Sequence, residues 1–364
     1  MPEIAYWTER MPLVPEDITA QWLSEALSTR YPGVRVESAA METIWRGTAT
    51  KLRMAVRYND AGRAAGLPPT LVVKGGLAEH RAMMAPTGAY MIEVHFYCEL
   101  NPALGMNTPA CHFGAIDRER MLGVVIMEDL GPRGVRFSRP TEPLSFAAAR
   151  GVLEALAGMH ARWWNDPRLQ EMDFLCDPLP DDAIIGQWER RQRQPQHWEE
   201  FVHRRPRGAA VPVAFHDLDR IGACLDRLRL VDREPPLTLL HGDCHVGNLF
   251  FEVDGRPGFL DWQTLRKGPW AHDVNYFMVS ALDVADRRRW DRALLMCYLD
   301  ALAAHGVEPP GFDAAWEAFL RQCVYGYFFW MVNPDELQPE IYNTAIATRF
   351  AMCALDHGAF DLLA

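Results

Sequence analysis

The chain has 364 residues, 49% of them hydrophobic, which is enough for two lobes each with its own core. Its formal net charge of -11 leaves no broad basic surface for gripping a nucleic-acid backbone or an anionic lipid face, so no nucleic-acid partner is expected. Eight cysteines, at positions 98, 111, 176, 224, 244, 297, 323 and 353, form no CxxC and no regular spacing. That argues against a zinc ribbon or a disulfide framework, and reduced, mostly buried thiols are expected. The opening "MPEIAYWTERMPLVPED" has no apolar signal core, and no run approaches the length of a membrane helix. These features predict a cytoplasmic protein without membrane insertion.

The first element is a predicted helix in "PEDITAQWLSEAL", with acids in its first turn and Ile18, Trp22 and Ala26 on one face. "RVESAAMETIWRG" and "ATKLRMAVRY" then read as two strands around a turn at Gly47, and "PPTLVVKGG" as a third strand that ends on Lys74. In "GAYMIEVHFYCEL", Met91, Val94 and Cys98 recur at helical spacing while Glu93 falls on a neighbouring face. "PACHFGAID" and "MLGVVIMEDL" supply two more apolar runs, so about five strands and one embedded helix are expected before Leu130.

Beyond "GPRG" the period changes. Val152, Leu156, Met159 and Trp163 step by four, three and four, and Leu218, Ile221, Leu225 and Leu228 repeat a related pattern. Residues 281 to 304, 312 to 332 and 338 to 358 extend the helical character. Pro and Gly at 309 to 311 and Pro334 act as punctuation. The fold class expected is α+β, with a strand-rich lobe over 1–130 and a larger helical lobe over 131–364.

Within the helical part, "LTLLHGDCHVGNLFFEVDGRPGFLDWQ" is an island of strand-like sequence around the turn signal "DGRPG", and a hairpin is expected there. If Asp254 and Gly255 form a two-residue turn, paired positions sum to 509 and Asn248 faces Asp261; a four-residue loop through Pro257 shifts the register by two. An amide oxygen and a carboxylate brought close suit a hard cation such as Mg2+ when phosphates supply its other ligands. Asp243 sits five residues before Asn248 on the same loop.

Asp, four residues, Asn, then a hairpin and a second Asp resembles the catalytic segment of the kinase-like fold. The wording HGDxHxGN followed by DWQ is similar to the aminoglycoside phosphotransferase and choline kinase group. "VVIMEDL" and "LAGMHARWW" bring it nearest to the ecdysteroid-kinase-like branch. The resemblance spans about residues 40 to 330. It implies a two-lobed protein-kinase-like fold and transfer of the gamma-phosphate of ATP to a hydroxyl of a small molecule. It further implies Asp243 as catalytic base, Asn248 and Asp261 as Mg2+ ligands, Lys74 on the alpha and beta phosphates, and Glu93 holding that lysine. Met127, Glu128, Asp129 and Leu130 would form the hinge that meets adenine.

Two departures from protein kinases matter. "WRGTATK" has one glycine where they have GxGxxG, leaving backbone N–H groups of Gly47, Thr48 and Ala49 as candidate phosphate caps. Few residues separate Asp261 from Asp273, so a long activation segment has no room and a small-molecule acceptor is expected over a peptide. Aromatic residues in "YGYFFWMV", with Trp316 and Phe319, favour an apolar alcohol as acceptor over a polycationic aminoglycoside.

Competing readings exist for each feature. His241 and His245 four apart suggest a zinc hydrolase, but i and i+4 do not converge on a strand-loop as they do on a helix. A nucleotide-binding pseudokinase with a regulatory or scaffold role would not need Asp243. Asp273 is expected to be an N-terminal helix acid or a buried anchor for the loop, with the structural role favoured, His241 to be structural with its ring bonded to backbone near the second Asp, and His160 to be a satisfied core histidine; Trp262 and Gln263 are expected to be packing and loop residues. No role for His245 follows from the sequence.

Overall fold

The computed structural model describes residues 2–77, 80–175 and 189–364, so Cys176 lies outside the described residues. The chain divides into two compact units. The first comprises Met1–Val135 with Leu260–Thr264, and the second Arg136–Phe259 with Leu265–Ala364. The chain break thus falls at 135/136, a few residues past Leu130, and five residues after the expected hairpin belong to the first unit.

The first unit is built on a six-stranded sheet, in the order β1-β5-β6-β4-β3-β2. Its strands are β1 (Ile4–Tyr6), β2 (Val36–Trp45), β3 (Thr50–Tyr58), β4 (Thr70–Gly75), β5 (Cys111–Asp117) and β6 (Leu122–Glu128). β1 joins β5 in parallel and the other neighbours are antiparallel. β3 alternates as its sequence requires: Leu52, Met54, Val56 and Tyr58 are buried, and Lys51, Arg53 and Arg57 take the other face. β6 lies between β5 and β4 and is buried almost throughout, which explains its unbroken apolar run "LGVVIM".

Helix α1 (Ala20–Ser28) starts later than its sequence suggests. Residues Pro15–Asp17 instead form a 3-10 turn, in which the Asp17 carboxylate accepts the N–H groups of Leu13 and Val14. Thr19 then caps α1 by accepting the Trp22 N–H. The acids therefore stabilise a turn ahead of the helix. The three-residue β1 was not expected; it is too short to show an alternation.

Helix α2 (Ala89–His95) runs into a π-helical turn at Phe96–Leu100. It approaches β6 where Gly123 leaves room: a Cβ there would lie 2.2 Å from the Tyr90 carbonyl oxygen. Val94 and Cys98 are buried as their spacing predicts, and so is Glu93, which periodicity placed beside that face.

The second unit is mainly helical. Its principal helices are α3 (Phe146–Arg162), α4 (Leu218–Val231), α5 (Ala271–Ala281), α6 (Val284–Ala304), α7 (Phe312–Arg321), α8 (Cys323–Val332) and α9 (Glu340–His357). The apolar repeats predicted for α3 and α4 are buried at Val152, Leu156, Met159, Ile221, Leu225 and Leu228. All eleven residues of α5 are buried, as expected of a helix surrounded on every side. The run from 312 to 332, read as one helical stretch, breaks at Gln322 into α7 and α8.

Five short strands lie among these helices: β7 (Arg136–Phe137), β8 (Leu237–Leu240), β9 (Leu249–Phe251), β10 (Pro257–Phe259) and β11 (Arg266–Pro269). β10, β9 and β7 form one sheet, and β8 pairs with β11. The expected hairpin is β9–β10, but its register differs from both expected alternatives. Phe251 pairs with Pro257 and Leu249 with Phe259, so the ladder does not pair Asn248 with Asp261. The cause is a three-residue loop closed by Glu252 and Arg256, in which Gly255 supplies a positive φ of 87°.

Candidate functional site

In the first unit, β4 carries Lys74 at its C-terminal end and α2 carries Glu93. The segment after β10 returns Asp261 to the same place. Lys74 Nζ donates to Glu93 Oε1 at 2.7 Å and to Asp261 Oδ1 at 3.0 Å, with both Lys74 and Glu93 only 3% exposed. Burial alone would lower the lysine pKa, but the charges of Asp261 and Glu93 outweigh it and hold the ammonium charged. Three residues far apart in sequence thus form one buried ionic cluster.

Asp261 reaches this position through a left-handed backbone, with φ of 63°, a conformation that carbon-branched side chains seldom adopt. The adjacent residues fix it there. The Trp262 N–H donates to Glu93 Oε1 at 3.2 Å, and the Trp262 ring stacks on Phe96 at 3.7 Å with 9° between planes. Phe96 belongs to the π-turn that ends α2, so the turn and the stack hold the DWQ segment together. Gln263 donates to Thr48 Oγ1 at 2.6 Å and the Tyr90 hydroxyl donates to the Thr48 carbonyl at 2.7 Å. The loop of Gly47, Thr48 and Ala49 is thereby tied to both the DWQ segment and α2. Gln263 does more than fill a loop.

Lys51 also belongs to this group, and sequence reasoning gave it no role. Its Nζ lies 3.9 Å from Asp261 Oδ2. Counting the alternation of β3 back from Leu52 would have put it on the Lys74 face.

Met127, Glu128, Asp129 and Leu130 close β6. Glu128 accepts the Ala110 N–H at 3.1 Å and pairs with Arg133 at 3.2 Å. Asp129 accepts from Arg53 Nε at 2.8 Å and from the Gly131 N–H at 3.0 Å. Burial pushes the Asp129 carboxyl up, yet these two donors outweigh it and hold the pKa below its usual value. Both acids of the candidate hinge are thus engaged, and so is part of its backbone: the Glu128 N–H donates to the Ala110 carbonyl at 2.8 Å and the Leu130 carbonyl accepts the Arg133 N–H at 3.1 Å.

In the second unit the loop after β8 is held from beneath by Asp273, which is fully buried in α5. Its Oδ2 accepts the His241 N–H at 2.7 Å and its Oδ1 the Gly242 N–H at 2.9 Å. His160 Nε2 lies 3.3 Å from Oδ2, and its Nδ1 lies 2.8 Å from the Tyr298 hydroxyl. Burial raises the Asp273 pKa, but the His160 contact and the facing imidazoles overcome it and hold the carboxyl far below the ordinary range. Asp273 and His160 therefore have the structural parts expected of them. The Gly242 carbonyl is met from the other side by Arg266 at 3.3 Å, a buried guanidinium that also donates to His272 at 2.8 Å. Burial, and then the Arg266 charge, push the His272 pKa down to about 3.

Above this clamp stands Asp243. Its carbonyl accepts from Asn248 Nδ2 at 2.9 Å and from the His245 N–H at 2.8 Å, and its carboxylate oxygen Oδ2 accepts from the same Asn248 nitrogen at 3.1 Å. The Asn248 amide nitrogen being turned to Asp243, its oxygen is the atom suited to a cation. His241 Nδ1 accepts the Asp243 N–H at 3.3 Å, a structural bond at the first Asp of the set where one near the second was expected. His245 Nδ1 accepts the Gly247 N–H at 3.0 Å, and its ring lies 5.1 Å from that of Trp330. Among the described residues no group of three or more His, Cys, Asp or Glu is placed to hold a metal by itself. The seven described cysteines are free thiols, five of them buried.

Each unit therefore assembles a part of the expected set: Lys74, Glu93 and Asp261 in the first, Asp243 and Asn248 in the second. No described helix is long and apolar enough to cross a membrane.

Solved structures with a similar fold include choline kinase LicA from Streptococcus pneumoniae, 12% identical over 86% of this chain and 93% of that one, TM-score 0.49. An ethanolamine kinase from Plasmodium vivax is 10% identical over 88% and 83%, TM-score 0.48. Aminoglycoside phosphotransferase APH(3'')-Id from Streptomyces rimosus is 13% identical over 86% and 98%, TM-score 0.45. No curated protein sequence matches the chain. The model of the phosphotransferase enzyme family, APH, matches residues 70–313, from the strand that carries Lys74 to the start of α7. Since that match takes in well over half of its length, this α+β chain belongs to the phosphotransferase enzyme family.

Proposed function

We propose that the protein transfers the gamma-phosphate of ATP, with Mg2+, to a hydroxyl of a small molecule, with Asp243 as the base. The observation that carries this reading is the buried Lys74, whose ammonium is shared by Glu93 at 2.7 Å and Asp261 at 3.0 Å. A buried lysine is costly unless paired, and a charge kept in this way at a strand end, beside the tied loop of Gly47, Thr48 and Ala49, suits a phosphate chain. Glu93 orients Lys74, and adenine would meet those backbone groups of residues 127–130 that the sheet and the following turn do not use.

The donor set fits Mg2+, with a carboxylate from Asp261 and an amide oxygen from Asn248, the hard ligands this cation takes. Bound there, the cation would neutralise charge on the phosphates. In the transfer, the acceptor oxygen forms a bond to the gamma-phosphorus, the bond to the beta-gamma bridging oxygen breaks, and ADP leaves. The hydroxyl proton passes to Asp243. General-base help of this kind contributes about 10² to 10⁴ in rate. The Asn248 amide and the Asp273 clamp keep the acceptor carboxylate in one orientation.

For the acceptor, an apolar alcohol is favoured. Of the acids there that could draw a polycation, Glu317, Asp335 and Glu340 are paired with Arg321, Arg205 and Arg207, while Glu336 is exposed. The rings beside His245 are aromatic: Tyr276 packs 5.8 Å from Tyr325 and 6.5 Å from Trp330. All three rings are buried, and an acceptor site bounded by such residues would suit a hydrophobic body that delivers one hydroxyl. The test is a competition between a panel of aminoglycosides and a panel of sterol, aromatic and aliphatic alcohols, read by ATP-dependent phosphorylation. Turnover of the alcohols is expected, and turnover of the aminoglycosides alone would reverse the assignment.

A further inference from the structure

We propose that Lys51 is a second phosphate-binding lysine, contacting the phosphate chain of the nucleotide alongside Lys74; this rests on the nucleotide reading above. The sheet register is the first reason. Lys51 on β3 and Lys74 on β4 are direct antiparallel partners, so their side chains project from the same face. Like charges directly opposite one another destabilise a sheet. The alternation of β3, fixed by Leu52, Met54 and Val56 in the core, leaves Lys51 no other face.

The second reason is how the charges are arranged. Asp261 is bracketed, with Oδ1 3.0 Å from Lys74 and Oδ2 3.9 Å from Lys51. At 3.9 Å the Lys51 contact is coulombic, beyond hydrogen-bonding range, whereas Lys74 is bonded to both carboxylates. Lys51, Lys74, Glu93 and Asp261 together sum to zero charge. A nucleotide triphosphate with one divalent cation is still anionic, and once that cation shares Asp261 the two ammonium groups are the nearby charges that can answer it.

The third reason is position. Lys51 lies two residues after Ala49, at the end of the loop tied down by Tyr90 and Gln263. Its side chain is 40% exposed against 2% for Lys74. Lys74 is the inner phosphate contact and Lys51 the outer one. As an ordinary surface pair, Lys51 with Asp261 would add little to stability and its removal would not touch ligand affinity.

The experiment is calorimetric titration of the full chain with MgATP, MgADP and AMP. It compares the parent with Lys51→Met, Lys51→Gln, Lys51→Arg and, as a control, Lys74→Met. Both neutral Lys51 variants are expected to bind MgATP and MgADP about tenfold to a hundredfold more weakly, the range for a lost hydrogen bond to a charged group. AMP affinity should change far less, and Lys51→Arg should recover most of the loss. Two neutral variants are included so that one that fails to fold leaves the other. Unchanged MgATP affinity in a folded neutral variant, while Lys74→Met weakens it, would overturn the assignment of Lys51 alone. Absence of MgATP binding by the parent would overturn the nucleotide reading and this assignment with it.

Discussion

Replacing Asp273 with Asn should damage the second unit in a pH-dependent way that can be worked out beforehand. The carboxylate accepts two backbone N–H bonds, at 2.7 Å from His241 and 2.9 Å from Gly242, in a fully buried setting. Hydrogen bonds to a charged group contribute about 1.5–3 kcal/mol each. An amide keeps one acceptor, now neutral, and turns an NH2 group toward the other N–H. The expected loss is therefore about 2–4 kcal/mol, a large share of the roughly 5–15 kcal/mol that holds a domain folded. The carboxyl is depressed in the folded protein, so its contribution is complete above the unfolded pKa of about 3.9 and is lost as pH falls toward the folded value. Below pH ~4 the parent should lose about 1.4 kcal/mol per pH unit from this group, and Asp273→Asn nothing. Urea unfolding of both proteins at pH 7, 5 and 3 is the assay. A gap that is constant from pH 7 to 5 and narrower at pH 3 is expected. A gap below about 1 kcal/mol at pH 7, or one unchanged at pH 3, would refute the reasoning.

Asp232 should show the opposite trend. Burial pushes its carboxyl up to about 7 against the Gln322 hydrogen bond and the Arg266 and Arg321 charges, so the folded state holds a proton that the unfolded chain has already released. Stability therefore falls as pH rises from about 4 to 7, and Asp232→Asn should gain on the parent across that window. A pH-independent difference in unfolding free energy would contradict this. Gly326→Ala should destabilise the packing of α8 on α9, although alanine is favoured over glycine in a helix by about 1 kcal/mol. Its Cβ would lie 2.1 Å from Phe350 Cε1, an overlap that costs about 1–3 kcal/mol or more. Phe350→Leu in the same chain should recover part of the loss, and a melting temperature raised by Gly326→Ala alone would count against the packing argument.

The residues brought together as Lys74, Glu93 and Asp261, and as Asp243 and Asn248, were legible because they sit in or near short distinctive strings. HGDCHVGN and DWQ announce an oxygen-rich loop and a second carboxylate, and the spacing of Lys74 and Glu93 ahead of them follows the family order. Long periodic helices such as α3 and α4 were equally open to reading, since each repeats its apolar face several times. What escaped depended on tertiary packing. The left-handed backbone at Asp261 carries no local signal, and the Trp262–Phe96 stack involves a π-turn that no local pattern signals. The hairpin register turned on Gly255 in a three-residue loop, one residue different from the turn that "DG" suggests by itself. The acids before α1 look like helix-start signals because a 3-10 turn uses the same residue types. Lys51 was overlooked since a lone lysine on a strand carries no mark until its cross-strand partner is known.

The central claim is ATP- and Mg2+-dependent transfer to a hydroxyl through Asp243. Its most direct test is the transfer of label from gamma-labelled ATP to a panel of hydroxylated small molecules, with and without Mg2+, by the parent and by Asp243→Asn, with MgATP affinity measured in parallel. The account predicts a labelled product that requires Mg2+ and falls by about 10² or more in the variant, while the variant binds MgATP as the parent does. Transfer by Asp243→Asn within about tenfold of the parent would contradict it, as would transfer that proceeds equally well without Mg2+.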